Sequence, residues 1–175
     1  MVSLIAKSAL AGLMPLEGDG VVAREAPFAP IYSLAPLGDG LGPALEKADG
    51  IALPAPGKMT DSEGLRCAWF GRAHYLLFGA EPDASLSALA AITDQSDAWC
   101  HAILEGPRAS ETLAYRTPVD LRASSFPPMS ATKAQIGHMN AALLHPEAER
   151  YEILVFRSMA GTLVHELEDA IAALP

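Results

Sequence analysis

Cysteine is almost absent from this 175-residue chain, which contains only Cys67 and Cys100. Two cysteines cannot form the disulfide framework of a small secreted domain, and their spacing matches neither a CxxC motif nor a zinc site. Both lie in apolar segments that we expect to be buried strands, where a reduced cysteine packs as a small hydrophobic side chain. The cysteines therefore favour a cytoplasmic protein.

Basic residues are also scarce: the chain has 12 Lys and Arg residues but 21 Asp and Glu residues, which gives a net charge of -9. Binding to a nucleic-acid backbone requires a basic face that releases counterions, so this class of partner is excluded.

Long apolar runs are missing too, although half of the residues are hydrophobic. No stretch reaches the roughly 18 residues that a membrane helix needs, which predicts no membrane partner. Residues 1–16 lack the charged leader of a secretory signal, and we expect a short amphipathic helix there.

Motifs for catalysis and cofactor binding are not found. The glycine-rich run at residues 38–42 does not have GxGxxG spacing, and the prolines at 54 and 56 interrupt the βαβ unit that such a loop requires. The sequence contains no GxSxG elbow, and its histidines form no HxH or HxxxH pair. The residues therefore predict no catalytic, cofactor-binding or metal-binding residue in this chain. The histidines are His74, His101, His138, His145 and His165.

Two polar segments leave alternatives open. Residues 93–97 form either a small polar site at the mouth of a strand or, as we favour, a self-capping turn of the Asx type. Ser158 can cap the last helix, and the Arg157-Ser158 pair could instead bind an anion at its N-terminus. Arg157 could equally pair with a carboxylate of a partner subunit.

The N-terminal third, residues 17–56, is rich in Gly and Pro and predicts only short elements. We expect strands at 31–34 and 51–53 and a short helix at 43–48. Because such a segment can bury little by itself, residues 1–56 are predicted to be an arm packed on the domain or a partner. Ile31, Tyr32 and Leu34 are then candidate interface residues.

Residues 57–175 are more regular and predict an α+β domain. Strands are expected at 65–70, 74–78 and 99–104, and helices at 85–92 and 106–115. A hairpin of 139–144 with 151–156 precedes a C-terminal helix whose apolar stripe is Ala160, Leu163, Val164, Leu167, Ile171 and Leu174. The order strand, turn, strand, helix occurs twice, which predicts a two-layer pseudo-duplicated fold.

Several short motifs resemble the gamma subunit of heterotetrameric sarcosine oxidases, and they follow in the same order and spacing. They are TDQSDAW (93–99), EGPRA (105–109), PVDL (118–121), FP (126–127), AT (131–132), GHMN (137–140) and RSMA (157–160). The resemblance implies a fold similar to the folate-binding, aminomethyltransferase-like domains. It also places Arg157 near a neighbouring subunit.

The resemblance further implies partners and cofactors. Such a chain assembles with alpha, beta and delta subunits into a complex that oxidises sarcosine with oxygen. The products are glycine, hydrogen peroxide and formaldehyde, the last captured as methylenetetrahydrofolate. FAD, FMN, NAD and the tetrahydrofolate site then belong to alpha and beta, zinc belongs to delta, and gamma carries no cofactor.

One departure from the folate-using relatives bears on catalysis. Those enzymes place a carboxylate just after a glycine-containing turn, whereas Gly137 is followed here by His138, Met139 and Asn140. Neither Met nor Asn replaces a carboxylate that orients an amine through charge-assisted hydrogen bonds. Aminomethyl transfer by this chain alone is therefore not expected. The alternatives left open are the equivalent subunit of a sister N-methyl amine oxidase complex and a stand-alone folate-binding transferase.

Overall fold

The computed structural model describes residues 5–175, which form two antiparallel sheets flanked by helices. The strands are β1 (Leu16–Gly18), β2 (Val21–Glu25), β3 (Ile31–Pro36), β4 (Met59–Ser62), β5 (Leu65–Gly71), β6 (His74–Phe78), β7 (Ala90–Asp94), β8 (Trp99–Glu105), β9 (Ser130–Ile136), β10 (Met139–Glu147) and β11 (Arg150–Phe156). The helices are α1 (Leu41–Asp49), α2 (Ala109–Ala114) and α3 (Ala160–Ala172), with 3₁₀ turns at Ala84–Ala88 and Arg157–Met159.

The two sheets are built by a duplicated unit. The six-stranded sheet A has the order β1-β2-β8-β11-β10-β9, and the five-stranded sheet B has the order β4-β5-β6-β3-β7. Each half of the chain runs through two strands, a helix, a three-stranded meander and a final helical segment. The first half extends from β2 to the 3₁₀ turn at 84–88, and the second half extends from β7 to α3. The predicted pseudo-duplication is therefore present, and it is more complete than the sequence indicated.

The first strand of each half pairs in the sheet of the other half. Strand β2 lies against β8, with Val22 opposite Glu105, and β7 lies against β3, with Tyr32 opposite Asp94. This exchange is reciprocal, so neither sheet is complete without a strand from the other half. Because residues 16–36 supply strands to both sheets, they are not an arm laid over a separate domain, and the division at residue 56 does not mark a domain boundary.

The two sheets pack face to face, and helices cover their outer faces. The core between the sheets contains Ile31, Met59, Ala68, Leu76, Phe78, Trp99, Ala131, Ala142, Leu144 and Leu154. Helix α3 packs on sheet A around Leu163 and Leu167, and α1 packs on sheet B around Leu41 and Leu45. Each half is thus the two-layer unit that the sequence predicts. Because the two units stack with their sheets in contact, the molecule has four layers.

Of the three candidate interface residues on β3, the assignment of Ile31 and Leu34 needs correction. Ile31 and Leu34 are only 4% and 0% exposed, and Tyr32 is half-buried against the core beneath α1. They are buried because β3 is an interior strand, hydrogen-bonded to β6 on one side and β7 on the other. Ile31 and Leu34 are core residues of this chain rather than contacts for a partner.

Three local predictions also differ from the structure. Residues 85–92 form a short 3₁₀ turn and then β7, because alternation through Ile92 and Thr93 favours a strand. Residues 51–53 form no strand, and residues 5–15 form turns rather than a helix. The part of that helix prediction at residues 1–4 lies outside the described residues.

The hairpin of β10 and β11 and the apolar stripe of α3 agree with prediction. Helix α3 begins at Ala160 after the 3₁₀ turn, and its N-terminus has no side-chain cap. The proposed capping role of Ser158 is therefore wrong.

Replacing Leu167 with alanine is expected to destabilise the fold by about 2–5 kcal/mol, because its fully buried side chain fills the core between α3 and sheet A. Leu37→Ala is the matched control, since Leu37 is 70% exposed and its loss leaves no cavity. Urea unfolding of both variants measures the difference. Equal free energies of unfolding would contradict this packing.

Candidate functional site

Trp99 marks the point where the two sheets part at one end of the molecule. It begins β8, is 7% exposed, and faces Phe156 of β11 in the strand register. The two rings stack with centroids 5.2 Å apart, and Phe70 of β5 meets the indole edge-on at 5.6 Å. The indole N–H donates to Gln95 Oε1 at 3.2 Å. Trp99 therefore joins both sheets and separates two surface cavities.

The first cavity, here called the aromatic pocket, has a volume of about 500 Å³. Its lining residues are Phe70, His74, Gln95, Trp99, Lys133, Ala134, Asn140, Ala141 and Phe156. Phe70 and His74 come from sheet B, and the residues from Lys133 onward come from sheet A. The pocket is thus an opening between the sheets with aromatic walls and a few polar groups.

The charges around the aromatic pocket are positive. The Lys133 ammonium lies 4.3 Å from the centroid of the Phe70 ring, a cation–π contact. Burial, and then the charge of Lys133, lower the pKa of His74, so its imidazole is neutral at neutral pH. Lys133, the charged residue of the lining, forms no ion pair with any residue in the range 5–175. Uncompensated positive charge in so acidic a chain is a feature of this pocket.

The second cavity, here called the N-terminal groove, has a volume of about 520 Å³ on the other side of Trp99. Its lining residues are 6–9, 25–29, Ile31, Ser96, Asp97, Trp99, His101 and Arg157. The Arg157 guanidinium donates to the carbonyl of Lys7 at 2.6 Å and lies 3.9 Å from the Asp97 carboxylate. Phe28 on the rim of the groove is 81% exposed. This groove therefore holds the sequence-predicted Arg157 beside exposed apolar surface.

The polar segment at residues 93–97 forms a turn. Asp94 Oδ1 accepts hydrogen bonds from the backbone N–H of Ser96 at 2.9 Å and from its hydroxyl at 2.6 Å, which lower the pKa of Asp94. The Ser96 hydroxyl oxygen also accepts from the Ile31 N–H. Of the two alternatives, the geometry supports the self-capping turn.

The glycine-rich run at 38–42 links β3 to α1, and α1 ends at Asp49 with Gly50 as its cap. Sheet B is antiparallel throughout, so this strand and helix are not part of a βαβ unit. The residues at this turn do not fit a dinucleotide.

A buried charge cluster lies between the sheets at the other end of β11. Glu152 is 2% exposed and accepts from Arg66 at 2.8 Å, from Arg150 at 2.9 Å and contacts His101 Nε2 at 3.0 Å. Burial alone would raise the pKa of Glu152, but the hydrogen bond from His101 and the charges of His101 and Arg66 lower it to about 2. Because Arg66 belongs to sheet B and Glu152 to sheet A, this carboxylate ties the two sheets together.

The two cysteines lie in the packed interior of the fold. Cys67 and Cys100 are buried free thiols, as predicted, and burial raises both pKa values to about 12, which makes them poor nucleophiles. Over residues 5–175, no group of His, Cys, Asp and Glu side chains could hold a metal ion. No helix in that range is long and apolar enough to span a membrane.

Sequence reasoning identified Arg157 but missed Trp99, Phe156, Lys133 and Glu152. One signal was available for Glu152, since it is a charged residue at an inward position of an otherwise apolar strand. The aromatic pocket had no such signal because its walls come from β5, β8 and β11, which are far apart in sequence.

No model of a known protein family matches this chain, and neither does any curated protein. A solved structure of heterotetrameric sarcosine oxidase from Corynebacterium sp. U-96, in complex with pyrrole 2-carboxylate, contains a similar chain. The two share 26% sequence identity and a TM-score of 0.81, and the match covers 95% of each chain. The predicted resemblance to a subunit of this complex is confirmed.

A second solved structure is similar in fold alone. It is the glycine cleavage system aminomethyltransferase T from Bartonella henselae, with 13% identity and a TM-score of 0.57. The match covers 85% of this chain but only 45% of the transferase. The aminomethyltransferase-like α+β fold is therefore confirmed as well.

Replacing Glu152 with glutamine is expected to destabilise the chain at pH 7 by about 3–5 kcal/mol, because Arg66 and Arg150 lose their shared buried partner. Since the folded pKa of about 2 lies below the ordinary value of 4.5, the wild type should lose this stability as pH falls from about 5 toward 2. Denaturant unfolding across that range measures it.

In that experiment the Glu152→Gln variant should show a shallower loss of stability with acid than the wild type. Glu147→Gln is the control, because Glu147 binds the same Arg150 but its side chain is 65% exposed. Its effect should stay below about 1 kcal/mol. Identical pH profiles for Glu152→Gln and wild type would contradict the role of Glu152.

Proposed function

We propose that this chain, which resembles a subunit of heterotetrameric sarcosine oxidase along nearly its whole length, is the small, non-catalytic gamma subunit of such a complex. The observation that carries the proposal is the matched extent of the two chains, 95% of each. By contrast, the chain corresponds to less than half of an aminomethyltransferase. A subunit role is therefore favoured over a stand-alone transferase.

In this proposal the chain assembles with alpha, beta and delta subunits in the cytoplasm. The complex demethylates sarcosine to glycine, with hydrogen peroxide and formaldehyde or 5,10-methylenetetrahydrofolate as the other products. FAD, FMN, NAD and the tetrahydrofolate site lie in alpha and beta, and zinc lies in delta. These groups supply the redox and one-carbon chemistry, while this chain supplies a rigid surface for assembly.

The N-terminal groove is the best-supported assembly surface. Phe28 lines the groove and is 81% exposed, and Ile5, next in the chain to the lining residue Ala6, is 78% exposed. An exposed apolar patch rimmed by polar residues is typical of a protein–protein interface. Arg157 lines the same groove, with a side chain 43% exposed. Its nearest carboxylate, Asp97, is 3.9 Å away and is itself 98% exposed, so Arg157 has no tight ion pair within residues 5–175.

The isolated chain is expected to be colourless and to produce no peroxide from sarcosine, because its cofactors and active site belong to other subunits. Co-expression with candidate partners should yield a flavin-containing complex that contains this chain. Oxygen consumption with sarcosine and with other N-methyl amines identifies the substrate. Turnover by the chain alone would overturn the proposal, and activity only on another amine would favour a sister complex.

Replacing Arg157 with alanine is expected to leave the isolated chain within about 1 kcal/mol of wild type, because its bonds are to an exposed segment. Assembly should weaken by about tenfold or more, since truncation strands a partner carboxylate. Arg122→Ala is the control, because the side chain of Arg122 is 81% exposed and pairs locally with Asp120. Melting and co-purification are measured together.

A variant that melts much earlier than wild type, yet assembles normally once folded, would show that Arg157 is an internal support. In that case the groove would not be the assembly surface. The subunit proposal itself would stand, because it rests on the matched extent of the two chains and is tested by co-purification of the wild-type chain.

A further inference from the structure

The walls of the aromatic pocket select for a planar ring. Phe70, Trp99 and Phe156 line a cavity of about 500 Å³. Such a volume lies within the roughly 300–1,000 Å³ typical of small-molecule sites. Aromatic rings prefer offset-stacked or edge-to-face contacts, so a planar ligand gains more here than an aliphatic one of equal size.

The charge beside those walls selects for an acid. Lys133 also lines the pocket, and its ammonium lies over the Phe70 ring, 4.3 Å from the centroid. A Cβ built on Gly71, at the β5–β6 turn, would lie 3.6 Å from the Lys133 ammonium, so this turn borders the lysine. Most arginines of the described chain bind carboxylates, as Arg24 and Arg116 do, whereas Lys133 binds none within residues 5–175. An anion arriving at Lys133 therefore meets no internal competitor.

Three neutral polar groups complete the lining. Gln95 uses its amide oxygen to accept from Trp99, which leaves its amide nitrogen free to donate. The Asn140 amide is exposed at the start of β10, and the His74 ring lies edge-on to Phe70 with centroids 5.1 Å apart. A ring nitrogen or oxygen of a ligand could hydrogen-bond to any of these groups, and this would fix its orientation.

We propose that the aromatic pocket binds a small planar aromatic or heteroaromatic acid, with its ring against Phe70 and Phe156 and its acidic group on Lys133. The site does not depend on the proposed assembly function. It is also distinct from the N-terminal groove, because the two cavities share only Trp99.

The test uses the full 175-residue chain and two probes of the same shape, 2-naphthoate and its neutral amide, 2-naphthamide. Isothermal titration calorimetry should show the acid binding at least about tenfold more tightly than the amide, as a charge-assisted hydrogen bond implies. Lys133→Met, which keeps the apolar stem, should remove that difference. Lys47→Met is the control, because Lys47 is exposed on α1 outside the pocket.

A second pair of variants tests the walls. Phe156→Ser should weaken the binding of 2-naphthoate by about tenfold or more. Phe28→Ser, which changes an exposed phenylalanine outside the pocket, should leave the affinity for 2-naphthoate unchanged. Should Phe156→Ser fail to fold, Lys133→Met alone decides the question. Equal affinity for acid and amide, or unchanged binding by Lys133→Met, would overturn the proposal.

The last experiment uses the assembled complex. Binding of 2-naphthoate should persist when the chain is joined to its partner subunits. Loss of binding on assembly would overturn the small-molecule site, because it would show that a partner's side chains fill the pocket.

Discussion

The reciprocal exchange of β2 and β7 is the constraint on which the rest of the structure depends. Each half of the duplication gives its first strand to the other half's sheet, so the inner faces of both sheets must form together. Packing one sheet on the other then buries a single core to which both halves contribute. This coupling explains how a glycine- and proline-rich N-terminal third, which has little core of its own, is held firmly. It is held by strand pairing on both sheets.

The layer between the sheets is graded from charged to aromatic along β8 and β11. At one end, Glu152 accepts from arginines of both sheets, and at the other, Trp99 and Phe156 stack where the sheets part. A buried ion pair contributes little net stability relative to an apolar pair, but it penalises any register that leaves a charge unpaired. A one-residue slip of β11 would turn Glu152 toward the helices. The charged end therefore specifies the alignment of the two sheets.

The sequence predicted the elements whose signals are local. The stripe of α3 and the β10–β11 hairpin have strong periodicity, and both were found. The misses at Ile31 and Leu34 arose because prolines and glycines made β3 look like a peripheral strand. Its burial depends on pairing with β7, which lies far along the chain. Arg157 could be identified because it lies in a short local motif. The aromatic pocket could not be predicted, because its walls come from segments that are far apart in the sequence.

The turn at Gly137–Asn140 is fastened to the segments around α2 and α3. In folate-using relatives this turn is expected to precede a carboxylate, but here it is tied to the helices. The Gly137 N–H donates to the carbonyl of Arg116 at 2.7 Å, and a Cβ on Gly137 would come within 2.6 Å of the Glu166 carboxylate. Arg116 in turn pairs with Glu166 at 3.2 Å. The Glu166 carboxylate of α3 thus lies against this turn and pairs with Arg116, which follows α2, so the segments around both helices are fastened to the turn that opens β10.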